Sequence, residues 1–297
     1  MKKILNSRGV KVEILVDLDK RRHRILQISS VFIILIIWEV FAIILKLITP
    51  HAYQIWPTFE NIFLNSLPQL AVFYGMGGLG TGTYGQEPSY WFAFLVIGYH
   101  TALTFARIVA GFLLGGVLGI GLGLLVKANS KMYAFIETPF RFIRIVPIMA
   151  LIPLFIVWFG SKEISFILYI AFAVTVVLYL DTISAVDNVR PVYQRFALTL
   201  GATRGQMFRT VIAPACIPEL LGGLKMIVGQ AWALSLAAEF LNAQNGLGRL
   251  IALARLRLDT GIIIIVLILY LIYSLLFLKV LTLIGNYITR WVPRIER

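Results

Sequence analysis

The amino-acid sequence predicts an all-α membrane protein with six membrane-spanning helices. Hydrophobic residues make up 59% of the 297 residues, charged residues only 14%, and the mean hydropathy is +0.87, which excludes a water-soluble globule. A helix needs about 20 apolar residues to cross the hydrocarbon core, and lipid offers no partner to unpaired backbone groups. Six runs meet this requirement, near residues 25–48, 100–126, 140–159, 164–180, 217–241 and 261–288.

The first run follows a strongly basic segment, residues 1–24, which contains eight Lys and Arg residues. The run is too long for a signal-peptide core and no small-residue cleavage site follows it, so we expect a retained first span. Residues 49–99 contain no Lys or Arg, whereas basic residues recur in the second and fourth links and in the tail, residues 291–297. Because basic residues favour the cytoplasmic side, we predict that both termini are cytoplasmic.

A glycine-rich aromatic segment, residues 72–94, follows on the outer side. Gly75, Gly77 and Gly80 satisfy G-x-G-x-x-G, but no strand–helix unit surrounds them, so a dinucleotide site is not expected. We expect a flexible extracytoplasmic loop. A lid or a contact surface for an external partner is the alternative, and the aromatic rings equally suit the interfacial aromatic belt.

Two patterns mark the second and third spans. Gly111, Gly115, Gly119 and Gly123 recur at every fourth position and place small residues along one helix face, which favours close helix packing; a pore lining is the alternative. In the third span Pro147 and Pro153 remove backbone hydrogen bonds and predict a kink, with solute contact as the alternative.

Ionisable residues inside spans indicate functional or structural pairs. Arg107 and Glu239 both fall in the outer half of the bundle, so an Arg–Glu ion pair is the first interpretation; anion binding by Arg107 and snorkelling to the surface are the alternatives. Glu39 in the first span is expected to be a packed polar group. The candidate translocation pathway comprises Arg107, Pro147, Met149, Gln230, Trp232, Ser235 and Glu239.

The link between the fourth and fifth runs, residues 182–216, is too elaborate for a simple connection. It predicts a helix over residues 197–200, a bend at Gly201, a second helix capped by Thr203, and a return into lipid marked by Pro214 and Pro218. A helix–Gly–helix on the cytoplasmic face suggests a docking site for another protein.

Several chemistries are not expected. No G-x-x-x-x-G-K-[ST] phosphate loop occurs, and no nucleophile has a plausible base, so the chain is not predicted to be an enzyme. Cys216 is the only cysteine, and the three histidines are scattered, so neither a disulfide nor a metal site is expected.

Several segments together resemble a known family over residues 38–287. They are Pro139–Pro153 with Trp158-Phe-Gly160, the series from His100 through Arg107 to Gly123, Ala237-Ala-Glu239 and Gly246-Leu-Gly248. The loop contributes Arg195, Phe196, Ala197, Gly201, Ala202, Thr203, Arg204 and Pro214, with Arg195 where the family has Glu. The chain thus resembles the inner-membrane permease subunits of binding-protein-dependent ABC importers, in particular the nitrate, sulfonate, taurine and bicarbonate group.

The resemblance implies a type I importer fold in a transmembrane domain, residues 25–290, of the bacterial inner membrane. It implies a second permease copy, a homodimer or a homologous partner, two ATPase subunits that carry ATP and Mg²⁺, and an external solute-binding protein that delivers a small anion. Lipid is the remaining partner, and no nucleic acid is expected. The loop would form the coupling helix. A secondary transporter or a channel subunit is the rival class, although the six runs show no inverted repeat.

Overall fold

The computed structural model describes residues 9–49, 51–73 and 87–292, and their regular structure is helical throughout. Turns of π-helix, Asn61–Ser66 and Phe208–Ile212, and of 3₁₀-helix, Leu70–Phe73 and Ile148–Leu151, adjoin the α-helices. The α-helices are α1 (Gly9–Ile48), α2 (Ala52–Ile55), α3 (Leu67–Gln69), α4 (Tyr90–Ala128), α5 (Ser130–Ile145), α6 (Ile152–Phe159), α7 (Glu163–Asp187), α8 (Pro191–Thr199), α9 (Arg204–Met207), α10 (Ala213–Asn242), α11 (Leu247–Leu256) and α12 (Thr260–Ile288).

Five helical segments are long and apolar enough to cross a membrane: α1 from Ile25, α4, α7, the continuous segment from α9 through α10, and α12. A sixth crossing exists if α5 and the segment Ile148–Phe159 together form one span, but a bend of 92° separates them. The bend lies at Val146 and Pro147, both of which have extended backbone. A proline restricts the residue before it to extended conformations, so the predicted kink is confirmed, and it is a right-angled break.

Most helices are longer than the apolar runs that predict them. Helix α4 begins at Tyr90, ten residues before the expected start, and takes in the end of the glycine-rich aromatic segment, of which residues 74–86 lie outside the described ranges. Helix α7 continues to Asp187, which lies within the predicted loop. Helix α1 begins at Gly9, well before the predicted start of the first span at residue 25. Hydropathy marks only the part of a helix that crosses hydrocarbon, whereas the backbone hydrogen bonding extends beyond it.

The glycine face of α4 packs against α7. Gly111, Gly115, Gly119 and Gly123 are all buried. A Cβ added at Gly119 would lie 2.8 Å from the Thr175 carbonyl oxygen, so even alanine would force the two helices apart. The predicted close packing is confirmed, and the face does not line a pore within this chain.

Helix α1 stands at the periphery. Among its described side chains only Ala42 is buried. Two hydrogen bonds join it to the following segment: the Trp38 indole N–H donates to the Pro57 carbonyl at 3.2 Å, and the Glu39 carboxylate accepts from the Phe59 amide at 2.9 Å. Glu39 is therefore the packed polar group that the sequence predicts.

Candidate translocation site and basic hairpin

The predicted pair of Arg107 and Glu239 is confirmed. Arg107 Nη1 on α4 lies 2.8 Å from Glu239 Oε1 on α10, and the exposed side-chain fractions are 2% and 0%. Arg107 also binds Glu163, the first residue of α7, through Nε at 2.5 Å and Nη2 at 2.6 Å. Asn245 accepts from Arg107 through its carbonyl at 3.0 Å and through its side chain. One guanidinium thus joins α4, α7, α10 and the loop before α11.

Glu239 has further donors on its second oxygen. Oε2 accepts from the Thr104 hydroxyl at 2.8 Å, the Gly248 amide at 2.9 Å and the Tyr270 hydroxyl at 3.2 Å. A buried carboxylate is tolerated where a charge partner and hydrogen bonds replace water, and this carboxylate has both.

The same network holds the loop between α10 and α11 over α4. His100 Nδ1 accepts from the Gly246 amide, and Thr104 Oγ1 accepts from the Leu247 amide, both at 2.8 Å. Gly246 has φ of 103°, and a Cβ there would lie 2.6 Å from Arg107 Nη1. Only glycine fits this position without strain and without contact with the ion pair.

This geometry favours a structural role for Arg107 over the two alternatives. The side chain does not snorkel, because it is buried, and its guanidinium already bonds two carboxylates and Asn245. The sequence analysis missed Glu163 and Asn245. Glu163 follows Lys162 between the third and fourth predicted runs and carries no spacing signal. Asn245 precedes the Gly246-Leu-Gly248 motif, which is the one local indication that this loop makes a specific contact.

The remaining predicted pathway residues divide into buried and exposed positions. Trp232 and Ser235 share the buried face of α10 with Glu239, and Trp232 packs edge-on against Tyr270 at 5.6 Å between ring centroids. Gln230 is exposed, because residues two apart on a helix point about 200° away from each other. Pro147 and Met149 are exposed as well. The structure therefore does not bring the seven residues into one site.

Gln230 belongs to an unpartnered face of α10. Its other members are small or flexible and lie three, four or seven positions apart, as one helix face requires: Gly222, Met226, Gly229 and Ala233. Met226 is 83% exposed, and a Cβ added at Gly222 or Gly229 would meet nothing within 4 Å. We call these five residues the open face of α10.

Residues 190–212 form a helical hairpin, named here the basic hairpin. Helix α8 ends before Gly201, whose φ is 79°, and the Thr203 hydroxyl accepts from the Gln206 amide in a capping box that starts α9. The predicted helix, glycine bend and cap are confirmed. The return is different from the prediction: Pro214 lies in the first turn of α10 and Pro218 inside it, so one helix continues from Arg204 into the membrane span.

The hairpin surface combines apolar and basic side chains. Phe196 is 66% and Leu200 73% exposed, whereas Ala197 between them in the sequence is buried. The chain has no Asp or Glu between Val189 and Pro218. Its arginines are all exposed: Arg190, Arg195, Arg204 and Arg209. Within the described ranges, no group of three His, Cys, Asp or Glu residues is placed to hold a metal ion.

Comparison with known proteins places this architecture in a family. The model of the binding-protein-dependent transport system inner membrane component matches residues 111–294. The chain is 33% identical over 156 residues to a Bacillus subtilis protein provisionally named aliphatic sulfonates transport permease protein, the match covering 52% of this chain and 56% of the relative. It is 32% identical over 165 residues to the Escherichia coli taurine transport system permease protein, covering 56% of this chain and 60% of the relative. The matches thus span less than two thirds of either relative.

Among solved structures, an inward-facing conformation of the MetNI methionine ABC transporter superposes with a TM-score of 0.54 at 19% identity, over 71% of this chain and 100% of the other. At this identity the match shows a shared fold. The family model spans more than half of the chain, over α4 from Gly111, the glycine face, the basic hairpin and α12. The chain therefore belongs to the family of inner membrane components of binding-protein-dependent transport systems.

Proposed function

We propose that this chain is the permease subunit of an ATP-driven importer for a small anion, with both termini in the cytoplasm. The observation that carries the proposal is the basic hairpin, an exposed helical structure continuous with a membrane span in a chain of this family. A sulfonate is the leading solute class, because two relatives bear sulfonate and taurine names; nitrate and bicarbonate are the other members of the group.

The basic hairpin is the contact for the ATPase subunits, which bind ATP and Mg²⁺. Its exposed Phe196 and Leu200 suit an apolar groove. Its arginines, with no carboxylate between Val189 and Pro218, favour acidic residues on the partner. Because α9 continues into α10 without a break, a displacement of the hairpin is transmitted along the span.

The open face of α10 and Met149 form the part of this chain that lines the pathway with a second permease copy. Their exposure supports this assignment, since the face has small residues and a polar amide, and a Cβ added at Gly222 or Gly229 meets nothing within 4 Å in the described part of the chain. The Arg107–Glu239 network serves instead to fix the outer ends of α4, α7, α10 and α11 relative to each other. An external binding protein delivers the solute at this outer end.

The test uses Gly201→Trp in the complete complex reconstituted with its ATPase and binding protein. Gly160→Trp is the matched control: Gly160 also has a positive φ, 74°, and open space around it, but lies at the opposite end of α7. We expect Gly201→Trp to insert normally and lose solute-stimulated ATP hydrolysis, while Gly160→Trp retains it. Wild-type stimulation in Gly201→Trp would exclude the hairpin as the coupling contact.

A secondary transporter or channel subunit is the other class of function. Members of that class function without an ATPase, so the class does not account for a hairpin that binds one. Co-purification of the membrane chain with a soluble ATPase separates the two, since the rival class predicts none. Arg195→Glu restores the residue that the family has at this position, so we expect it to keep this co-purification or to strengthen it.

A further inference from the structure

A cavity of about 240 Å³ lies between the last turns of α1 and the segment that follows α2. It is the place where α1 is attached to the rest of the chain, and its wall includes Ala42, the one buried side chain described on α1. The apolar side chains of α1 near the cavity are exposed: Leu47 is 83% and Ile43 is 47% exposed. The lining residues are Ala42, Lys46, Trp56, Thr58, Glu60, Asn61 and Asn65.

Trp56 supplies a donor that nothing in the described structure accepts. Its ring is held by Trp38, stacked at 4.0 Å between centroids, and by Phe41, edge-on at 5.2 Å. The Trp38 indole N–H has the Pro57 carbonyl, but the buried Trp56 Nε1 has no hydrogen-bond partner. Buried polar groups are normally paired, so the unpaired N–H of this cavity-lining residue is a donor available to an acceptor that reaches it.

The cavity also has one charge of each sign. Lys46 and Glu60 both line it, and no ion pair between them is found in the described residues. The two asparagine side chains are joined to each other, since Asn65 Nδ2 donates to Asn61 Oδ1 at 2.7 Å. A ligand that complements this wall has an anionic acceptor for Lys46 and Trp56 and a cationic donor for Glu60. That is the chemistry of a zwitterion.

We infer that this cavity binds the headgroup of a zwitterionic phospholipid with a primary amine, of the phosphatidylethanolamine type. The phosphate accepts from the Trp56 indole and from the Lys46 ammonium, and the amine donates to the Glu60 carboxylate. A lipid is favoured over a soluble zwitterion because Lys46 lies in the last turn of a membrane span, at headgroup depth, and the exposed apolar side of α1 adjoins the cavity. The bound lipid joins α1 to the bundle.

The experiment is native mass spectrometry of the purified full-length chain titrated with phosphatidylethanolamine, phosphatidylcholine or phosphatidylglycerol of identical acyl chains. We expect phosphatidylethanolamine to bind about fivefold more tightly than phosphatidylcholine, because a trimethylated amine cannot donate a hydrogen bond to Glu60. Glu60→Gln removes this preference. Trp56→Phe keeps the ring stacking, loses the N–H, and weakens phosphatidylethanolamine binding about tenfold.

Two matched controls separate this site from general lipid contact. Lys279→Met on α12 and Trp91→Phe at the start of α4 change exposed residues of the same types outside the cavity and leave lipid binding as in the wild type. Thermal melting of each variant confirms that it is folded. Equal binding of the three lipids, or a preference unchanged in both Glu60→Gln and Trp56→Phe, overturns the inference. Soluble phosphoethanolamine or taurine that binds as tightly as the lipid overturns it in favour of a solute site.

Discussion

Separating Arg107 from Glu239 should destabilise the chain more than removing both charges. Glu239 is fully buried, so in Arg107→Gln its carboxylate keeps three hydrogen-bond donors but loses its counter-charge. Breaking a buried ion pair typically costs about 3–5 kcal/mol, whereas deleting both partners is close to neutral. We therefore expect Arg107→Gln to lower the free energy of unfolding by about this amount, and the double variant with Glu239→Gln to recover most of it.

The structure makes the two single variants unequal. In Glu239→Gln, Arg107 still pairs with Glu163 at 2.5 Å, and the new amide oxygen still accepts a hydrogen bond. This variant should lose less, about 1–3 kcal/mol. Glu163→Gln is the control, because the Glu163 side chain is 52% exposed and Arg107 keeps its pairing with Glu239, so we expect a smaller loss than in Arg107→Gln.

The assay is denaturant unfolding of the detergent-solubilised chain, followed by the circular dichroism of its helices, with thermal melting as a second measure. A double-mutant cycle gives the coupling between the two positions. Additive losses in the double variant would refute the pairing as the source of stability. If Arg107→Gln instead abolished uptake with no loss of stability, anion binding by Arg107 would be the better explanation.

Three further predictions concern helix packing and the glycine-rich aromatic segment. Gly119→Ala should lower the melting temperature of the chain, since its Cβ would lie 2.8 Å from the Thr175 carbonyl oxygen. The control Gly121→Ala, whose Cβ meets nothing within 4 Å, should be neutral or slightly stabilising. Equal effects of the two variants would contradict the close α4–α7 contact. Gly246→Ala should cost more than Gly121→Ala, because it adds both backbone strain at φ of 103° and contact with the ion pair; a wild-type melting temperature would contradict it. Replacing residues 75–86 by a short Gly-Ser linker should leave the melting temperature unchanged; if that segment contacts the binding protein, uptake should fall while basal ATP hydrolysis persists, and unchanged uptake would identify a spacer.

Features encoded by nearby residues could be predicted from the sequence. The apolar runs predict the spans because hydrocarbon imposes both length and helicity on them. The repeat from Gly111 to Gly123 predicts a close helix contact, and Gly201 with Thr203 predicts the hairpin, because a left-handed glycine and a capping side chain act within one turn. The kink at Pro147 could also be predicted, because a proline acts on the residue next to it. Its angle of 92° could not be predicted from the sequence.

Tertiary structure alone decided which side chains meet. Glu163 and Asn245 are 56 and 138 positions from Arg107, so no spacing rule relates them, and only the packing of α4, α7 and α10 brings their oxygen atoms to the Arg107 guanidinium. The same holds for Gln230 and Trp232, which the sequence analysis assigns to one pathway but which the neighbours of α10 leave exposed and buried, respectively. A sequence determines the solvent that each segment prefers and the turns it makes by itself; the three-dimensional arrangement determines which faces remain open, because that depends on what every other helix covers.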